Sequence, residues 1–238
     1  MIRELARTYG YKQETIGRYL SFFGDETTSL LRANDAEPRL YLRVNTLRIS
    51  SQELGMRFRK RGIDFLEVEN GLEIIQSPFS VTSTPEYLLG YFYLQGIAEM
   101  QIAPLLHPGI KDLITDMCAA PGGKTTHLAQ LMNNRGVIAA YDVNKNKIKA
   151  LKANIQRLGI TNTIIFHKSS LDSTFHSSAI LLDAPCTGSG IIRKDPSRKY
   201  SRDSSDISFC SRLQRDLLQK GIENLYPNGS LLYSTCSL

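Results

Sequence analysis

The segment LITDMCAAPGGKT, from Leu113 to Thr125, reads as a short apolar strand that runs into a tight turn and then a helix. We predict the strand over Leu113–Asp116 and the helix over Gly122–Met132. Small residues and two adjacent glycines let the backbone turn sharply and approach a ligand, and the first turn of a helix presents free amide groups. A glycine pair by itself also fits a tight turn without a ligand. The segment predicts a strand–turn–helix unit whose turn is a candidate binding loop.

The same alternation continues along the second part of the chain. Further strands are predicted over Val137–Tyr141, Thr163–His167, Ala179–Asp183 and Ser230–Ser234, and further helices over Lys145–Leu158 and Phe209–Leu225. Short apolar strands that alternate with amphipathic helices indicate the α/β class, with a doubly wound, Rossmann-like parallel sheet. Ligands of such sheets bind beyond the carboxyl ends of the strands, and each distinctive motif of this sequence lies at one of those ends.

The first part of the sequence has a mixed pattern. Helical spacing gives way to a strand predicted over Tyr41–Leu47, a helix capped by Ser51, and a hairpin whose turn is Asn70-Gly71. We interpret residues 1–88 as a small α+β domain that recognises the substrate. Residues 89–238 form the predicted catalytic domain.

Composition excludes several classes of protein. Of the 238 residues, 42% are hydrophobic and 22% charged, which is ordinary for a globular chain. No apolar run approaches the roughly 20 residues of a membrane-spanning helix, and the segment Met1–Gly10 is too charged for a signal peptide. We therefore expect no membrane partner and a cytoplasmic location, or a nucleolar one in a eukaryote. The four cysteines form no C-x-x-C pair, so we expect neither a disulfide scaffold nor a metal site, and we expect a monomer.

The formal net charge of +6 is too small to identify a polyanionic partner by itself. The distribution of charge is more informative, because five basic residues fall within one short stretch that lacks helical spacing: Arg193, Lys194, Arg198, Lys199 and Arg202. We predict that this stretch is a loop that meets phosphate groups.

Two kinds of nucleotide-like ligand compete for the turn that follows Asp116. Gly123-Lys124-Thr125 matches the second half of a P-loop, but a P-loop requires glycine where this sequence has Cys118. Asp142 closes the second predicted strand, where an acid can accept hydrogen bonds from both hydroxyls of a ribose. The same residue also fits a helix N-cap. Together these features favour an adenosine-containing cofactor, with a nucleoside triphosphatase as the alternative, in which Asp183 would bind Mg²⁺.

A cysteine follows each of the last two predicted strands. DAPCTGSG, from Asp183 to Gly190, holds Cys186, and YSTCS, from Tyr233 to Ser237, holds Cys236. If the two strands are neighbours, the carboxyl ends of both open into the same crevice, and the two thiols lie together.

Paired thiols at such a place fit one particular chemistry. A thiolate that adds to carbon 6 of cytosine makes carbon 5 nucleophilic enough to accept a methyl group. Because a free thiol ionises near pKa 8.5, the site must favour the thiolate, and the ammonium of Lys124 or the positive charge of a methyl sulfonium is a candidate for that role. Asp183 is placed to bond the exocyclic amine of the base or a protonated ring nitrogen during the addition.

The motifs DMCAAPGGKT, DAPCTGSG and YSTCS closely resemble those of the Sun-domain, or RsmB/Nop2-like, family of RNA cytosine carbon-5 methyltransferases. RVNTL (Arg43–Leu47) and TPEYLLGY (Thr84–Tyr91) extend the resemblance to nearly the whole chain, which looks most like Nop2-like and archaeal tRNA-modifying members. The resemblance implies a Rossmann-like methyltransferase domain, S-adenosylmethionine as cofactor and RNA as substrate, with an RNA-binding role for residues 1–88.

The resemblance also implies roles for individual residues. Cys236 would be the nucleophile, Cys186 would assist release of the methylated RNA, and Lys124 and Asp183 would act on the base. The cofactor side would comprise Cys118, Ala119, Ala120, Pro121, Gly122, Gly123, Lys124, Asp142, Lys147 and Asp183. DNA cytosine methyltransferases of similar fold attack with the cysteine that follows proline, so the presence of both cysteines indicates RNA.

Two departures from the family pattern lead to further expectations. Ser169 stands where the family usually has an aspartate that contacts adenine, so we expect this contact to be weak or to pass to Asp172. The family fold continues with a helix and two strands beyond the position of Leu238, so we expect a C-terminally truncated catalytic domain. The favoured target is tRNA. The alternatives are large-subunit rRNA with the same chemistry, and an RNA-binding fragment without activity.

Overall fold

In a computed structural model that describes residues 1–238, the chain forms ten α-helices and nine β-strands. The helices are α1 (Ile2–Tyr9), α2 (Gln13–Phe23), α3 (Thr27–Asp35), α4 (Ser51–Lys60), α5 (Pro85–Leu88), α6 (Ile97–Leu105), α7 (Gly123–Leu131), α8 (Lys145–Leu158), α9 (Arg198–Ser201) and α10 (Ser204–Glu223). The strands are β1 (Leu40–Val44), β2 (Asp64–Val68), β3 (Gly71–Gln76), β4 (Phe92–Leu94), β5 (Leu113–Asp116), β6 (Val137–Tyr141), β7 (Thr163–Phe166), β8 (Ser177–Asp183) and β9 (Leu225–Ser234).

The chain divides into two compact units. One is helical and comprises residues 1–38, 185–215 and 235–238. The other contains both sheets and comprises residues 39–184 and 216–234. We refer to them as the helical unit and the sheet unit. The division expected near residue 88 stays a prediction about domain organisation. No helix is both long and apolar enough to span a bilayer.

Five strands of the sheet unit form a parallel sheet in the order β7-β6-β5-β8-β9. The chain proceeds outward from β5 to β7 and then returns to the other side of β5 for β8 and β9. The prediction of a doubly wound, Rossmann-like sheet is therefore confirmed, and its topological switch point lies between β5 and β8.

Buried apolar residues explain why these strands and helices form. Most side chains of the central strands β5, β6 and β8 are buried, and Leu128 of α7 and Leu151 of α8 are fully enclosed. Helix α8 begins where the Asn144 side chain accepts hydrogen bonds from the amides of Asn146 and Lys147. It ends at Gly159, whose left-handed conformation (φ 72°) suits a helix C-terminus. Local signals and core burial thus agree over this part of the chain.

The second sheet is antiparallel, with the order β2-β3-β1-β4. The predicted hairpin is confirmed: Val68 pairs with Gly71, and Asn70 adopts the positive φ of 64° that such a tight turn requires. Phe58 of α4 packs edge-on against Phe92 of β4, with ring centroids 5.6 Å apart. This α+β arrangement also confirms the predicted character of the N-terminal region.

Arg43 of β1 joins the antiparallel sheet to the first turn of α7. Its buried guanidinium donates to Gln95 Oε1 (2.6 Å), to the carbonyl of Gly123 (2.6 Å) and to Thr126 Oγ1 (2.9 Å). Each of these acceptors is uncharged, and burial lowers the pKa of Arg43 to about 9, so it stays a cation at neutral pH. The N-terminal region is therefore hydrogen-bonded directly to the loop–helix junction at β5.

Several predicted element boundaries are wrong. Helix α10 spans Ser204–Glu223 instead of Phe209–Leu225, β8 starts at Ser177 instead of Ala179, α7 is one residue shorter at each end, and β7 ends one residue earlier. Three further differences have a visible cause. Strand β1 ends at Val44 instead of Leu47, because the side chain of Asn45 turns away to bond the carbonyls of Gly90 and Leu158. The cap of α4 is Ser50 instead of Ser51; its hydroxyl accepts from the amide of Glu53. Strand β9 starts at Leu225 instead of Ser230, because its pairing with β8 contains a register shift that accommodates the Pro-Asn-Gly sequence.

The helical unit has its own apolar core. Ile192 comes from the segment after β8, yet it packs with residues of the first three helices and of the α1–α2 connection: Ala6, Tyr11, Ile16, Tyr19 and Leu31. The segment 185–215 is therefore part of the same folded body as residues 1–38.

Candidate active site

The loop between β5 and α7 folds back against the neighbouring strand and helix. The amide of Ala119 donates to the carbonyl of Tyr141 (2.8 Å), and Thr125 Oγ1 donates to Asp116 Oδ2 (2.7 Å). Gly122 has φ 105°, and a Cβ at this position would lie 2.8 Å from Leu151 Cδ1. The close approach explains why glycine is needed, and it holds the loop at the carboxyl edge of the sheet.

Asp142 follows β6 beside this loop. Its Oδ2 accepts from the amide of Ala120 (3.2 Å) and its Oδ1 from the amide of Asn144 (2.8 Å). Asn144, and not Asp142, caps α8, so the N-cap interpretation of Asp142 is wrong. Because each carboxylate oxygen can accept about two hydrogen bonds, the partly exposed carboxylate keeps capacity for two further donors.

Lys124 and Asp183 meet at the switch point of the sheet. Lys124 Nζ lies 2.6 Å from Asp183 Oδ2, and Ser234 Oγ donates to Asp183 Oδ1 (2.8 Å). The carboxylate is held from two sides, and both charged side chains are largely buried (17% and 32% exposed), so the pair is geometrically fixed.

The structure brings Cys186 and Cys236 together in the helical unit. Strands β8 and β9 are neighbours, and the two sulfurs lie 2.7 Å apart without forming a disulfide. Ser237 Oγ holds the two loops together: it lies 3.0 Å from Thr187 Oγ1 and accepts from the amide of Gly188 (3.2 Å).

The hydrogen bond between the sulfurs favours one thiolate. The S–H of Cys236 stabilises a negative charge on the other sulfur and holds the pKa of Cys186 well below that of a free cysteine, although desolvation opposes this shift. Loss of the first proton from the pair therefore leaves one thiolate that accepts the hydrogen bond of the other thiol.

Cys118 has the opposite environment. Burial raises the pKa of its thiol, and the nearby carboxylates of Asp116, Asp142 and Asp183 raise it further. Burial also raises the pKa of Cys210 in α10. Thiolate character is thus confined to the 186/236 pair. No group of three or more His, Cys, Asp or Glu side chains is arranged to hold a metal ion.

The remaining cofactor-side residues are less constrained. Ser169 Oγ accepts from the amide of Leu171 and caps a 3₁₀ turn that contains the exposed Asp172. Lys147 is exposed in the first turn of α8, and its charge acts on Cys118 in the direction that lowers the thiol pKa. The proposed adenine-contact and cofactor roles of these residues stay predictions.

The basic stretch is not the plain loop that its lack of helical spacing predicts. It contains α9, and most of its side chains have partners within the helical unit. Arg193 donates to the carbonyl of Ala33, Lys199 pairs with Asp35, and Arg198 pairs with Asp195. Part of the basic charge therefore stabilises the fold.

Two serines that we did not single out from the sequence orient proposed catalytic groups. Ser234 fixes the Asp183 carboxylate, and Ser237 connects the loops of the two cysteines. Both lie within YSTCS, on either side of Cys236. The sequence feature that could have identified them is a polar residue beside a candidate nucleophile at the end of a strand.

Asp116 is a buried acid whose protonation affects stability. It is 1% exposed, and desolvation raises its pKa from 3.8 to about 7, opposed mainly by the hydrogen bond from Thr125. Because the folded-state pKa is raised, stability from this group is fully present below about pH 4 and is lost as pH rises through 7.

We predict that Asp116→Asn flattens the pH dependence of stability. In the wild type this carboxyl contributes a loss of about 1.4 kcal/mol in unfolding free energy per pH unit between roughly pH 5 and 7, and the amide does not titrate. Urea unfolding of both proteins from pH 5 to 8 measures the effect. Asp64→Asn, at an exposed site of the same unit, is the matched control. Parallel curves for wild type and Asp116→Asn would contradict the prediction.

Comparisons with known proteins converge on one family. A family model described as 16S rRNA methyltransferase RsmB/F matches residues 103–238, and a model for the RsmF/B-like ferredoxin-like domain matches residues 15–82. A human 28S rRNA (cytosine(4447)-C(5))-methyltransferase is 38% identical over 248 aligned residues, covering 99% of this chain and 30% of the human protein. The chain thus spans about a third of the length of this curated relative.

Solved structures show the same similarity. A methyltransferase homolog protein from Pyrococcus horikoshii is 42% identical with a TM-score of 0.88, covering 100% of this chain and 77% of that one. NSun6 from Pyrococcus horikoshii, solved with SFG, is 27% identical with a TM-score of 0.87, covering 95% of this chain and 83% of that one.

Proposed function

Because the chain belongs to the RsmB/F methyltransferase family, as the Sun-domain resemblance predicted, we propose that it transfers a methyl group from S-adenosylmethionine to carbon 5 of a cytosine in RNA. The observation that carries this proposal is the pair of adjacent thiols, Cys186 and Cys236, whose hydrogen bond favours one thiolate. Carbon-5 methylation of a pyrimidine needs a thiolate nucleophile, and a triphosphatase has no use for one.

The sheet unit has groups that fit the cofactor. The Asp142 carboxylate keeps acceptor capacity for the two ribose hydroxyls, beside a loop whose backbone is closely packed at Gly122. S-adenosylmethionine, when bound, supplies the methyl group. NSun6 with SFG, a solved relative, supports a ligand of the same kind in this chain. Residues Cys118 to Lys124, Asp142 and Asp183 are the proposed cofactor side, with Lys147 and Ser169 as weaker candidates.

The protein's own groups account for the steps on the base. The proton of the S–H···S bond passes from Cys236 to Cys186. The resulting Cys236 thiolate adds to carbon 6 of cytosine, and the displaced electron pair makes carbon 5 nucleophilic. The Asp183 carboxylate, held by Lys124 and Ser234, accepts from the exocyclic amine and orients the ring. After carbon 5 carries the methyl group, a base removes its proton, the electron pair reforms the ring double bond, and the Cys236 thiolate leaves. Cys186 assists this release.

For the class of RNA, the names of the relatives are informative. The family description and the human relative both name rRNA, which supports rRNA as the first substrate to test, ahead of the tRNA that the motifs favoured. The sequence-based expectations of a monomer and of a cytoplasmic or, in a eukaryote, nucleolar location stay predictions.

The test is transfer of labelled methyl from S-adenosylmethionine to unmodified RNA by the purified protein, with bisulfite sequencing to locate the product. We expect label in 5-methylcytosine of rRNA or tRNA and no ATP hydrolysis. Hydrolysis of ATP without methyl transfer would favour the triphosphatase. RNA binding with neither activity would indicate the inactive RNA-binding alternative.

A further inference from the structure

The helical unit contains a small cleft lined by arginines from separate segments of the chain. Arg18 comes from α2, Arg198 from α9, and Arg202 from the residue that follows α9. Thr187 contributes a hydroxyl group, and Asp203 is the one acidic residue of the lining. We refer to this feature as the arginine cleft.

The arginines of the cleft have donors left for a ligand. Arg198 is positioned by Asp195 (2.8 Å) and by the carbonyl of Thr187 (3.3 Å), and Arg202 is positioned by Asp206 (3.3 Å). Each guanidinium carries five N–H donors, so these bonds orient the side chains without exhausting them. Arg202 Nε is enclosed and has no hydrogen-bond partner. Arg18 is half-buried, and its guanidinium is in none of the ion pairs or side-chain hydrogen bonds of the helical unit.

The single acid of the lining does not neutralise this charge well. The oxygens of Asp203 accept from the amide and hydroxyl of Ser205 and from the amide of Asp206, which cap the start of α10. Asp195 and Asp206 balance the charges of Arg198 and Arg202 in ion pairs, so the positive charge without a carboxylate partner is that of Arg18. A partly buried cation of this kind favours an anion beside it.

The arginine cleft adjoins the cysteine pair. Thr187 directly follows Cys186, and its hydroxyl lies 3.0 Å from that of Ser237, which directly follows Cys236. One wall of the cleft is thus bonded to both cysteine loops. The cleft therefore borders the residue that directly follows Cys186 and is hydrogen-bonded to the residue that directly follows Cys236.

We propose that the arginine cleft binds a backbone phosphate of the RNA, next to the target cytosine. This inference rests on the proposed function, since it takes RNA as the substrate. Arginine forks match the geometry of a phosphate group, and phosphate contacts set the register of a nucleic acid on a protein. The cleft would hold the strand so that the cytosine reaches Cys236.

The experiment measures binding of a fluorescein-labelled, single-stranded RNA of mixed sequence at several salt concentrations, with no cofactor present. For Arg18→Gln we expect affinity to fall about tenfold and the slope of log affinity against log salt to fall by about 0.7, the value for one lost phosphate contact on a single strand. Arg18→Lys keeps the charge and should keep most of the slope.

The matched control is Arg32→Gln, which removes the same charge from an exposed position of the helical unit outside the cleft. Equal losses of affinity and slope in Arg18→Gln and Arg32→Gln would overturn the proposal, because a nonspecific charge effect would explain both. This readout is separate from methyl transfer. A wild type that binds RNA in this way but does not methylate it would refute the proposed function without contradicting the proposal that the arginine cleft binds a phosphate.

Discussion

Cys236→Ser is expected to lower the rate of methyl transfer by about 10³-fold or more while cofactor and RNA binding persist. A serine hydroxyl is far less acidic than a thiol. A hydrogen bond like the one between the sulfurs of Cys186 and Cys236, which lie 2.7 Å apart, is too weak to convert this hydroxyl into an alkoxide at neutral pH. The measurement is single-turnover transfer of labelled methyl to RNA. Retention of activity within tenfold of wild type would exclude Cys236 as the nucleophile.

Cys186→Ala provides the informative contrast. If this cysteine assists release, the variant still attacks the base but cannot complete turnover, so a covalent protein–RNA adduct should accumulate. The adduct would appear as a retarded band on a denaturing gel after incubation with S-adenosylmethionine, and the double variant Cys186→Ala/Cys236→Ser should show none. A Cys186→Ala protein that binds RNA but forms no adduct would contradict the release role.

Much of the parallel sheet was predictable because its signals are local. Strands β5 and β6 and helix α8 have the predicted bounds, since each apolar run stops at a polar residue that caps or turns the chain. Asp142 and the Gly122-Gly123 pair were identifiable for the same reason. Ligand-facing residues of a parallel sheet follow its strands, so a sequence that reveals the strand ends also reveals the candidate site.

The helical unit was not predictable in this way. Its core joins Ile192 to Ile16 and Leu31, and these residues are far apart in the sequence. The hydrophobic periodicity of a sequence indicates local elements and does not predict a contact between residues so far apart. The same difficulty affected the basic stretch, because Asp35, the partner of Lys199, lies more than a hundred residues earlier. Charges that pair over such distances look free in the sequence.

The cysteine pair is an intermediate case. Neighbouring strands were an inference from fold class, and that inference placed both thiols at one edge. The direct contact between the sulfurs, and the serines that support the loops, depend on side-chain geometry that spacing alone does not contain. The sequence therefore predicted two thiols at one edge of the sheet, whereas the structure shows the hydrogen bond between them.

Arg43→Met should be among the most damaging substitutions outside the proposed catalytic residues. It keeps an unbranched apolar chain but removes every hydrogen bond from the guanidinium, leaving Gln95 Oε1 and the carbonyl of Gly123 without this donor. Each buried polar group left unsatisfied costs about 1–3 kcal/mol. We expect the free energy of unfolding to fall by about 2–5 kcal/mol and Tm by roughly 5–15 °C.

The same substitution should weaken cofactor binding, because Gly123 opens α7 directly after the loop that we assign to S-adenosylmethionine. Calorimetric titration below the lowered Tm should show affinity reduced about tenfold, and Arg43→Lys should recover part of it by restoring the charge and one donor. Arg39→Met is the matched control. Its guanidinium is 67% exposed in a surface pair with Glu73, so its removal should leave the free energy of unfolding nearly unchanged. If Arg43→Met is as stable as Arg39→Met, the guanidinium of Arg43 does not hold the first turn of α7. If Arg43→Met is unstable but binds the cofactor normally, the guanidinium stabilises the fold without supporting the cofactor site.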